Sequence, residues 1–379
     1  MDAYSLAGYG EMLADTVRRE AYAAALAHAV RPETRVLEIG TGPGIFALLA
    51  AHLGARQVVA LETGEVIALA RRLATANHLD TRIRFLRQAS TDFQPGQRAD
   101  LIVSDLRGVL PLERNHLATI ADARTRLLAP GGRLIPERDR MWAAVVSAPE
   151  PYRRLLDGFE DRFDLDLEIA RALLTHAMVR VTLKPEQCLG APACWATLEY
   201  QNQRDEPLTG DLGWRLERGG TAHGVALWFD TELVAGIGFD TGPHAPPTLY
   251  RQVLLPFPEP FTVHRGDHVR LRIDAARAGE RYQWRWRTTI ETPDGVCRCW
   301  DQSTFEGTVI DPERLHRRAA SFQPLAGTEA RYLRWVLARM DGHHTSGEIA
   351  AALATAHPAR FADADDALAY VADLAQRFG

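Results

Sequence analysis

A short apolar stretch, Val36-Leu37-Glu38-Ile39, runs directly into a turn in which every second residue is glycine, Gly40-Thr41-Gly42-Pro43-Gly44. The apolar pattern of Ile45 to Leu53 that follows predicts a helix. Glycine lets the backbone approach a ligand where any side chain would collide. A strand, a glycine turn and a helix in this order predict a parallel α/β sheet with a ligand at the turn.

An acid, Glu62, ends the next predicted strand, which begins at Gln57. A carboxylate there can accept hydrogen bonds from both hydroxyls of a ribose, as in nucleoside cofactors on such folds. The nicotinamide fingerprint is G-x-G-x-x-G, whereas these glycines run G-x-G-x-G behind a further acid, Glu38. The pattern favours S-adenosylmethionine, which carries no phosphate. A nicotinamide enzyme and a tight turn without a ligand are the alternatives.

Three stretches of different periodicity divide the 379 residues. Residues 1–140 alternate short strands with helical patterns, and residues 141–315 change to period two, which predicts an antiparallel β-barrel. A helical interruption at residues 151–174 would project from that barrel as an arm, and residues 320–379 predict a small helical domain. In the first stretch the pattern predicts strands at 35–39, 57–62, 100–103 and 133–135, and helices at 45–53, 65–77 and 113–128.

Charge and cysteine content narrow the class of protein. The 44 basic and 49 acidic residues give a net charge of −5, which argues against nucleic-acid or membrane partners. The chain shows no secretory signal and no long apolar segment. Its four cysteines, Cys188, Cys194, Cys297 and Cys299, form no C-x-x-C pair. We expect a soluble protein of a reducing cytoplasm.

Two further patterns have competing interpretations. Tryptophan and arginine alternate over Trp284 to Arg287, which could stack nucleic-acid bases, but a strand with one buried face is favoured. Cys297-Arg298-Cys299 has no other ligand at metal-binding spacing, so we expect two cysteines on one face of a strand and predict no metal site.

Several motifs, over about residues 4 to 310, resemble those of the protein arginine methyltransferases. They are Gly10 to Arg18, Val36 to Ile45, Gly54 to Glu62, Asp100 to Glu113, Leu128 to Pro136, Phe239 to Tyr250 and Gln252 to Pro256. The resemblance implies an α/β fold in which a Rossmann-like class I methyltransferase domain precedes the β-barrel. It also implies S-adenosylmethionine as cofactor and a homodimer formed through the arm.

The resemblance also assigns roles to residues of the site. The cofactor would be held by Gly40, Gly42, Gly44 and Glu62, with Arg18 and Glu38 at its amino-acid end and Asp92 near the adenine. In the family, two glutamates of a substrate loop grip a guanidinium, and Asp105 and Glu113 stand at these positions. Two carboxylates can bind the delocalised cation bidentately and align one nitrogen with the methyl group. Tyr4, Arg107 and Tyr250 are the expected substrate contacts.

This sequence departs from the family pattern in the substrate loops. Aspartate replaces the first glutamate, the loop is one residue shorter, and Arg107 stands where the family has an apolar residue. Thr248-Leu249-Tyr250 replaces threonine-histidine-tryptophan. The acceptor could therefore be protein, peptide or free amino acid, or a carboxylate-bearing small molecule steered by Arg107. A second alternative is a non-catalytic peptide-binding module. Locally, Asp105 could be an ordinary strand-end acid and Glu113 an acid in the first turn of a helix.

The C-terminal stretch resembles a different family. Asp341 to Ile349, followed by helical patterns, is similar to the small winged-helix PqqD-like domains. Such domains bind leader peptides by adding a strand to a sheet edge. A packing or regulatory domain is the alternative. Within the motif, His343-His344 precedes Thr345, and Glu348 three residues later predicts a capping box at a helix start.

Overall fold

The computed structural model describes residues 5–160, 164–293, 295 and 297–379. Tyr4, an expected substrate contact, lies outside the described residues. The chain divides into two compact units, Met1–Thr308 and Val309–Gly379. Among the described residues, no helix combines the length and the apolar character needed to cross a membrane.

A five-stranded parallel sheet forms the first part of the larger unit. Its strands are β1 (Arg35–Ile39), β2 (Gln57–Glu62), β3 (Ile83–Arg87), β4 (Ala99–Ser104) and β5 (Leu128–Ile135). Its helices are α1 (Leu6–Ala14), α2 (Thr16–Ala29), α3 (Ile45–His52), α4 (Ile67–Ala76) and α5 (His116–Arg126). The strand order is β3-β2-β1-β4-β5, so connections leave β1 toward opposite sides. A crevice at the carboxyl ends of β1 and β4 is the ligand-binding position of such sheets.

Most elements predicted for this sheet are present, with two differences. Gly131 and Gly132 were expected to precede a strand, but they lie inside β5, where the pairing with β4 shifts register and Gly131 has a φ of 76°. Strand β3 was not predicted, because two of its five residues are arginines, which interrupt the apolar run expected of a buried strand. The central strand β1 is buried at four of five positions, as expected for a strand covered on both faces.

Two antiparallel sheets follow. The first has the order β7-β12-β10-β6-β8, with β11 paired to β10, and the second has the order β15-β14-β13-β9. The strands are β6 (Arg138–Val146), β7 (Val179–Val181), β8 (Ala193–Glu199), β9 (Leu208–Arg215), β10 (Gly220–Val234), β11 (Ile237–Asp240), β12 (Gln252–Val263), β13 (His268–Ala278), β14 (Arg281–Glu291) and β15 (Cys297–Ser303). Strand β10 is central because it pairs with β6, β11 and β12.

Alternation along β14 confirms the strand interpretation of its tryptophans. Trp284 and Trp286 are 5% and 1% exposed, while Arg285 and Arg287 face solvent. Cys297 and Cys299 both lie on the edge strand β15, also as expected. One hydrophobic core extends from the parallel sheet into both antiparallel sheets.

A helical arm interrupts the antiparallel region, as the sequence predicts. It contains α6 (Pro149–Leu156), a short 3-10 turn at Asp157–Phe159, and α7 (Glu168–Leu174). Large apolar side chains on it are exposed: Ile169 by 81%, Leu165 by 58% and Phe159 by 42%. The described part of the arm therefore carries an apolar surface that packs on no core.

The second unit is helical throughout. It contains α8 (Pro312–His316), α9 (Thr328–Leu337), α10 (Ser346–Ala356) and α11 (Ala364–Phe378), and its own core includes Val336, Leu353, Phe361 and Val371. The predicted capping box is present, since Thr345 and Glu348 exchange side-chain and backbone hydrogen bonds at the start of α10. All residues of this unit are described and none forms a strand, so it has no sheet edge for the expected addition of a peptide strand.

Candidate functional site

The glycine turn between β1 and α3 has the conformation that its composition predicts. Gly40, Gly42 and Gly44 have φ values of 74°, 53° and 84°, in the left-handed region that side chains disfavour. A Cβ atom on Gly40 would collide with Leu106, and one on Gly42 would lie 2.9 Å from Cε1 of Tyr9. The turn is thus enclosed between the substrate loop and helix α1.

Glu62 lies against this turn. Its Oε2 accepts a hydrogen bond from the Gly42 N–H at 2.9 Å, and its Oε1 accepts one from the Gly64 N–H at 2.8 Å. These two contacts bring the predicted ribose acid and the glycine turn together and hold the carboxylate in one orientation. Each carboxylate oxygen keeps a second lone pair that can accept a further hydrogen bond.

Glu38 is a buried carboxyl group at the end of β1. It is 4% exposed, and the Thr41 hydroxyl donates a hydrogen bond to its Oε2 at 2.5 Å. Burial raises the pKa of Glu38 to about 8, although the Thr41 hydrogen bond and the charge of Arg18 oppose the shift. A carboxyl group with this pKa is suited to ionise when a cation such as an ammonium group arrives beside it. The buried carboxyl group of Glu38 and the nearby charge of Arg18 fit the ammonium and carboxylate groups at the amino-acid end of S-adenosylmethionine.

Asp105 follows β4 and is engaged by three side chains. The Arg18 Nε donates to its Oδ2 at 2.5 Å, the Tyr250 hydroxyl donates to the same oxygen at 2.6 Å, and the Arg107 Nε donates to Oδ1 at 3.2 Å. Burial alone would raise the pKa of Asp105, but the two arginines and the Tyr250 hydroxyl outweigh it and lower the pKa to about 2. Asp105 is therefore ionised at neutral pH and held in place by three side chains.

Arg107 is enclosed by the protein. Its side chain is 0% exposed, its Nη1 donates to Asp139 at 2.9 Å and to Thr231 at 2.8 Å, and its Nη2 donates to the Tyr22 hydroxyl at 2.7 Å. Its guanidinium carbon lies 5.3 to 5.9 Å from the ring centres of Tyr22, Phe229, Phe239 and Tyr250. Contrary to expectation, Arg107 has no face open to a substrate carboxylate, because protein groups surround it.

Glu113 is placed differently from Asp105. Its side chain is 55% exposed, and its Oε1 lies 3.8 Å from Nε of Arg114. It packs against the backbone of Gly108 within the same loop. It precedes helix α5, which begins at His116, so it is not an acid of a first helical turn.

Several residues of the crevice were not identified from the sequence. Asp15 caps α2 by accepting from the Arg18 N–H, and its Oδ2 also accepts from the Leu249 N–H at 2.7 Å. It thereby ties α2 to the loop where the family's histidine is missing. Tyr9 and Asp139 were also missed. Of these residues only Asp15 could have been found from the sequence, because an aspartate directly before a helical pattern indicates a helix N-cap.

Asp92, expected near an adenine, lies exposed in the turn after β3. Its N–H donates to the Ala89 carbonyl. The turn follows the carboxyl end of β3, on the same edge of the sheet as Glu62. The role of Asp92 near an adenine stays a prediction.

The fold and the crevice define a class I methyltransferase. A family model described as "Ribosomal protein L11 methyltransferase (PrmA)" matches residues 22–136, and one described as "Arginine methyltransferase oligomerization subdomain" matches residues 137–287. The chain is similar to the protein arginine methyltransferases, which confirms the resemblance seen in its motifs. Both models end before the second unit, so the PqqD-like resemblance remains a prediction.

Individual relatives support this assignment. Protein arginine N-methyltransferase 1 of Dictyostelium discoideum is 25% identical over 284 residues, which are 73% of this chain and 83% of that protein. An arginine N(omega)-methyltransferase of Streptomyces achromogenes subsp. streptozoticus is 27% identical over 267 residues, covering 69% and 74%. The fold is similar to that of the Trypanosoma brucei PRMT1 enzyme-prozyme heterotetrameric complex with AdoHcy, with a TM-score of 0.72 and 21% identity over 78% of this chain and 97% of that one.

Proposed function

We propose that this protein transfers a methyl group from S-adenosylmethionine to a guanidinium nitrogen of arginine. The observation that carries the proposal is the hydrogen bond from Arg18 to Asp105. Arg18 lies on helix α2, beside the glycine turn, and Asp105 lies in the substrate loop. Cofactor residues and acceptor residues thus meet at one edge of the sheet. This is where ligands of α/β sheets bind.

The residues of the glycine turn would hold the cofactor. Gly40, Gly42 and Gly44 let it approach the backbone, Glu62 would accept from the ribose hydroxyls, and Glu38 would face the ammonium group. Arg18 would bind the carboxylate through its Nη atoms while its Nε remains on Asp105. When bound, S-adenosylmethionine supplies a methyl group on a sulfonium centre, which is open to attack by a nitrogen lone pair.

The two acids of the substrate loop would have separate tasks. Asp105 is ionised and fixed, so it would orient the guanidinium, which is a poor nucleophile because it is charged and delocalised. Glu113 is half exposed, so it would bind the other edge of the cation. It would then accept on Oε1 or Oε2 the proton that the methylated nitrogen releases, and pass it to water.

The acceptor could be an arginine of a protein or peptide, or the free amino acid. Relatives with names of both kinds are similar to this chain: protein arginine N-methyltransferases and an arginine N(omega)-methyltransferase. A homodimer is part of the proposal. It is supported by the exposed apolar side chains of the arm and by the match of the arm region to an oligomerization subdomain.

The test is transfer of a labelled methyl group into free arginine, an arginine-rich peptide and host extract, followed by acid hydrolysis and identification of the product. An ω-methylarginine supports the proposal, and label only in another product refutes it. Glu113→Gln should abolish turnover but leave binding of S-adenosylhomocysteine intact. Glu20→Gln is the matched control, because that carboxylate is exposed on α2. Unchanged turnover in Glu113→Gln would refute the assigned role.

A further inference from the structure

The substrate loop runs from Asp105, directly after β4, to His116, the first residue of α5. The His116 N–H donates to the Glu113 carbonyl at 3.0 Å. Between them Arg114 has a φ of 45°, a conformation that side chains disfavour and that persists only where the surroundings hold it. Glu113 pairs with Arg114 itself at 3.8 Å, so this ion pair moves with the loop. The position of Glu113 relative to Asp105 therefore depends on what holds His116.

The side chain of His116 is buried and bound to Tyr200. It is 2% exposed, and its Nε2 lies 2.9 Å from the Tyr200 hydroxyl oxygen. Burial and the charge of Arg107 lower the pKa of His116 to about 3, so the ring is neutral near pH 7 and carries one hydrogen. The single hydrogen of the Tyr200 hydroxyl is donated to Oδ2 of Asp139 at 2.6 Å. The ring hydrogen of His116 therefore lies on Nε2, which donates to Tyr200.

Asp139 connects this contact to the other end of the loop. Its Oδ1 accepts from Nη1 of Arg107 at 2.9 Å, and Nε of Arg107 donates to Oδ1 of Asp105 at 3.2 Å. Asp139 lies on β6, and Tyr200 directly follows β8, which pairs with β6. One hydrogen-bonded chain of side chains thus joins both ends of the substrate loop to these two strands: His116, Tyr200, Asp139, Arg107 and Asp105.

We propose that His116 and Tyr200 are positioning residues that set the distance between the Glu113 and Asp105 carboxylates. The inference rests on the proposed function, because both carboxylates are the proposed contacts of the guanidinium. The Nε2–H of His116 fixes the start of α5, and with it the backbone of Glu113, against the strands that also hold Asp105. A displacement of about 1 Å in a group that orients a substrate can lower the rate about 100-fold. Loss of this contact should therefore lower kcat.

Two amide substitutions test the Nε2–H of His116 directly. The amide nitrogen in His116→Gln can lie near the position of Nε2, whereas that in His116→Asn is one methylene shorter and lies near Nδ1. The first variant therefore keeps a donor for the Tyr200 hydroxyl, and the second does not. Tyr200→Phe removes the hydroxyl with little change of shape. Tyr282→Phe is the matched control, because the Tyr282 hydroxyl also donates to a carboxylate, that of Asp205, at 3.1 Å.

The experiment measures kcat and KM with whichever of free arginine and an arginine-rich peptide the wild-type protein methylates. Each kcat is expressed per molecule that binds S-adenosylhomocysteine in a calorimetric titration. We expect His116→Asn and Tyr200→Phe each to lower this kcat about tenfold, and His116→Gln to stay within about threefold of the wild type. Tyr282→Phe should keep the wild-type kcat. A residue needed only for stability would lower Tm and the number of binding-competent molecules, but not the kcat of those that remain.

The double variant His116→Asn/Tyr200→Phe should lose no more than the larger single loss, because both changes break the same contact. A wild-type kcat in Tyr200→Phe overturns the proposal, and so do single losses that multiply or equal losses in His116→Gln and His116→Asn. If His116→Asn does not fold, Tyr200→Phe alone decides. Failure of the proposed function has a different signature, since the wild-type protein would then form no ω-methylarginine from any of the acceptors.

Discussion

Nε of Arg18 lies 2.5 Å from Oδ2 of Asp105, and this contact joins helix α2 to the end of strand β4. Arg18 is 8% exposed and its guanidinium also lies over the rings of Tyr22 and Phe46. The Arg18 side chain therefore links the proposed binding site for the cofactor carboxylate to Asp105, the proposed contact of the guanidinium. A change at Arg18 should affect both ligands.

Replacing Arg18 by glutamine should weaken binding of S-adenosylhomocysteine about 30-fold, because a charge-assisted pair with the cofactor carboxylate is lost. Isothermal titration calorimetry measures the effect. Arg19→Gln is the control, since Arg19 is the next residue of α2 and its side chain is 42% exposed. Equal affinities for Arg18→Gln and the wild type would show that Arg18 does not contact the cofactor.

Cofactor binding should depend on pH through Glu38. Burial raises its pKa to about 8, so below pH 8 the group must lose a proton before it can pair with the ligand's ammonium group. Affinity for S-adenosylhomocysteine should therefore rise up to about tenfold per pH unit from pH 6 and level off above pH 8.

Glu38→Gln should remove this pH dependence, while Glu65→Gln, an exposed neighbour of the site, should keep it. Calorimetry in two buffers of different ionisation enthalpy counts the protons released. The same shift has a consequence for stability. The folded protein holds the proton of Glu38 more tightly than the unfolded chain does. The stabilisation from this protonated group is therefore complete below pH 4.5, and it is lost as the pH rises from 4.5 through 8.

The hydrogen bond from the Tyr250 hydroxyl should hold the Asp105 carboxylate in place and keep it ionised. Tyr250→Phe removes a hydrogen bond to a buried carboxylate, and we expect kcat/KM to fall about tenfold. The pKa of Asp105, which is about 2, should move upward, so the acid limb of the pH–rate profile should move to higher pH. Tyr282→Phe removes a comparable hydroxyl–carboxylate contact, from strand β14 of the other antiparallel sheet to Asp205, and should leave activity unchanged. A wild-type profile for Tyr250→Phe would argue against this role.

The arm should hold two copies of the protein together. Ile169 is 81% exposed on α7, and burying such a side chain at an interface is favourable. Ile169→Asp should raise the dimer dissociation constant by about 30-fold or more, as seen by sedimentation velocity. Leu325→Asp is the control, since Leu325 is 95% exposed in the second unit. A monomeric wild-type protein would exclude the dimer.

The sequence predicted those parts of the site that are local. Strands β1 and β2 lie at the predicted positions, and Glu62 meets the glycine turn because parallel neighbours end at the same edge. Asp139 could not be predicted. It is an ordinary polar residue in a strand pattern, and its role arises only because folding places it against Arg107, 32 residues earlier. The enclosure of Arg107 was missed for the same reason.

The pairing of β6 with β10 has a consequence for folding. In this antiparallel pair Asp139 lies directly opposite Thr231, and both side chains accept a hydrogen bond from Nη1 of Arg107. Partners so distant in sequence must close a long loop before they gain any contact, which makes such pairing slow. A slip of one residue would turn either side chain to the other face of the sheet. A pairing of β6 with β10 out of register would thus lack the partners of Arg107, so the native alignment of these two strands is a requirement for the enclosure of Arg107.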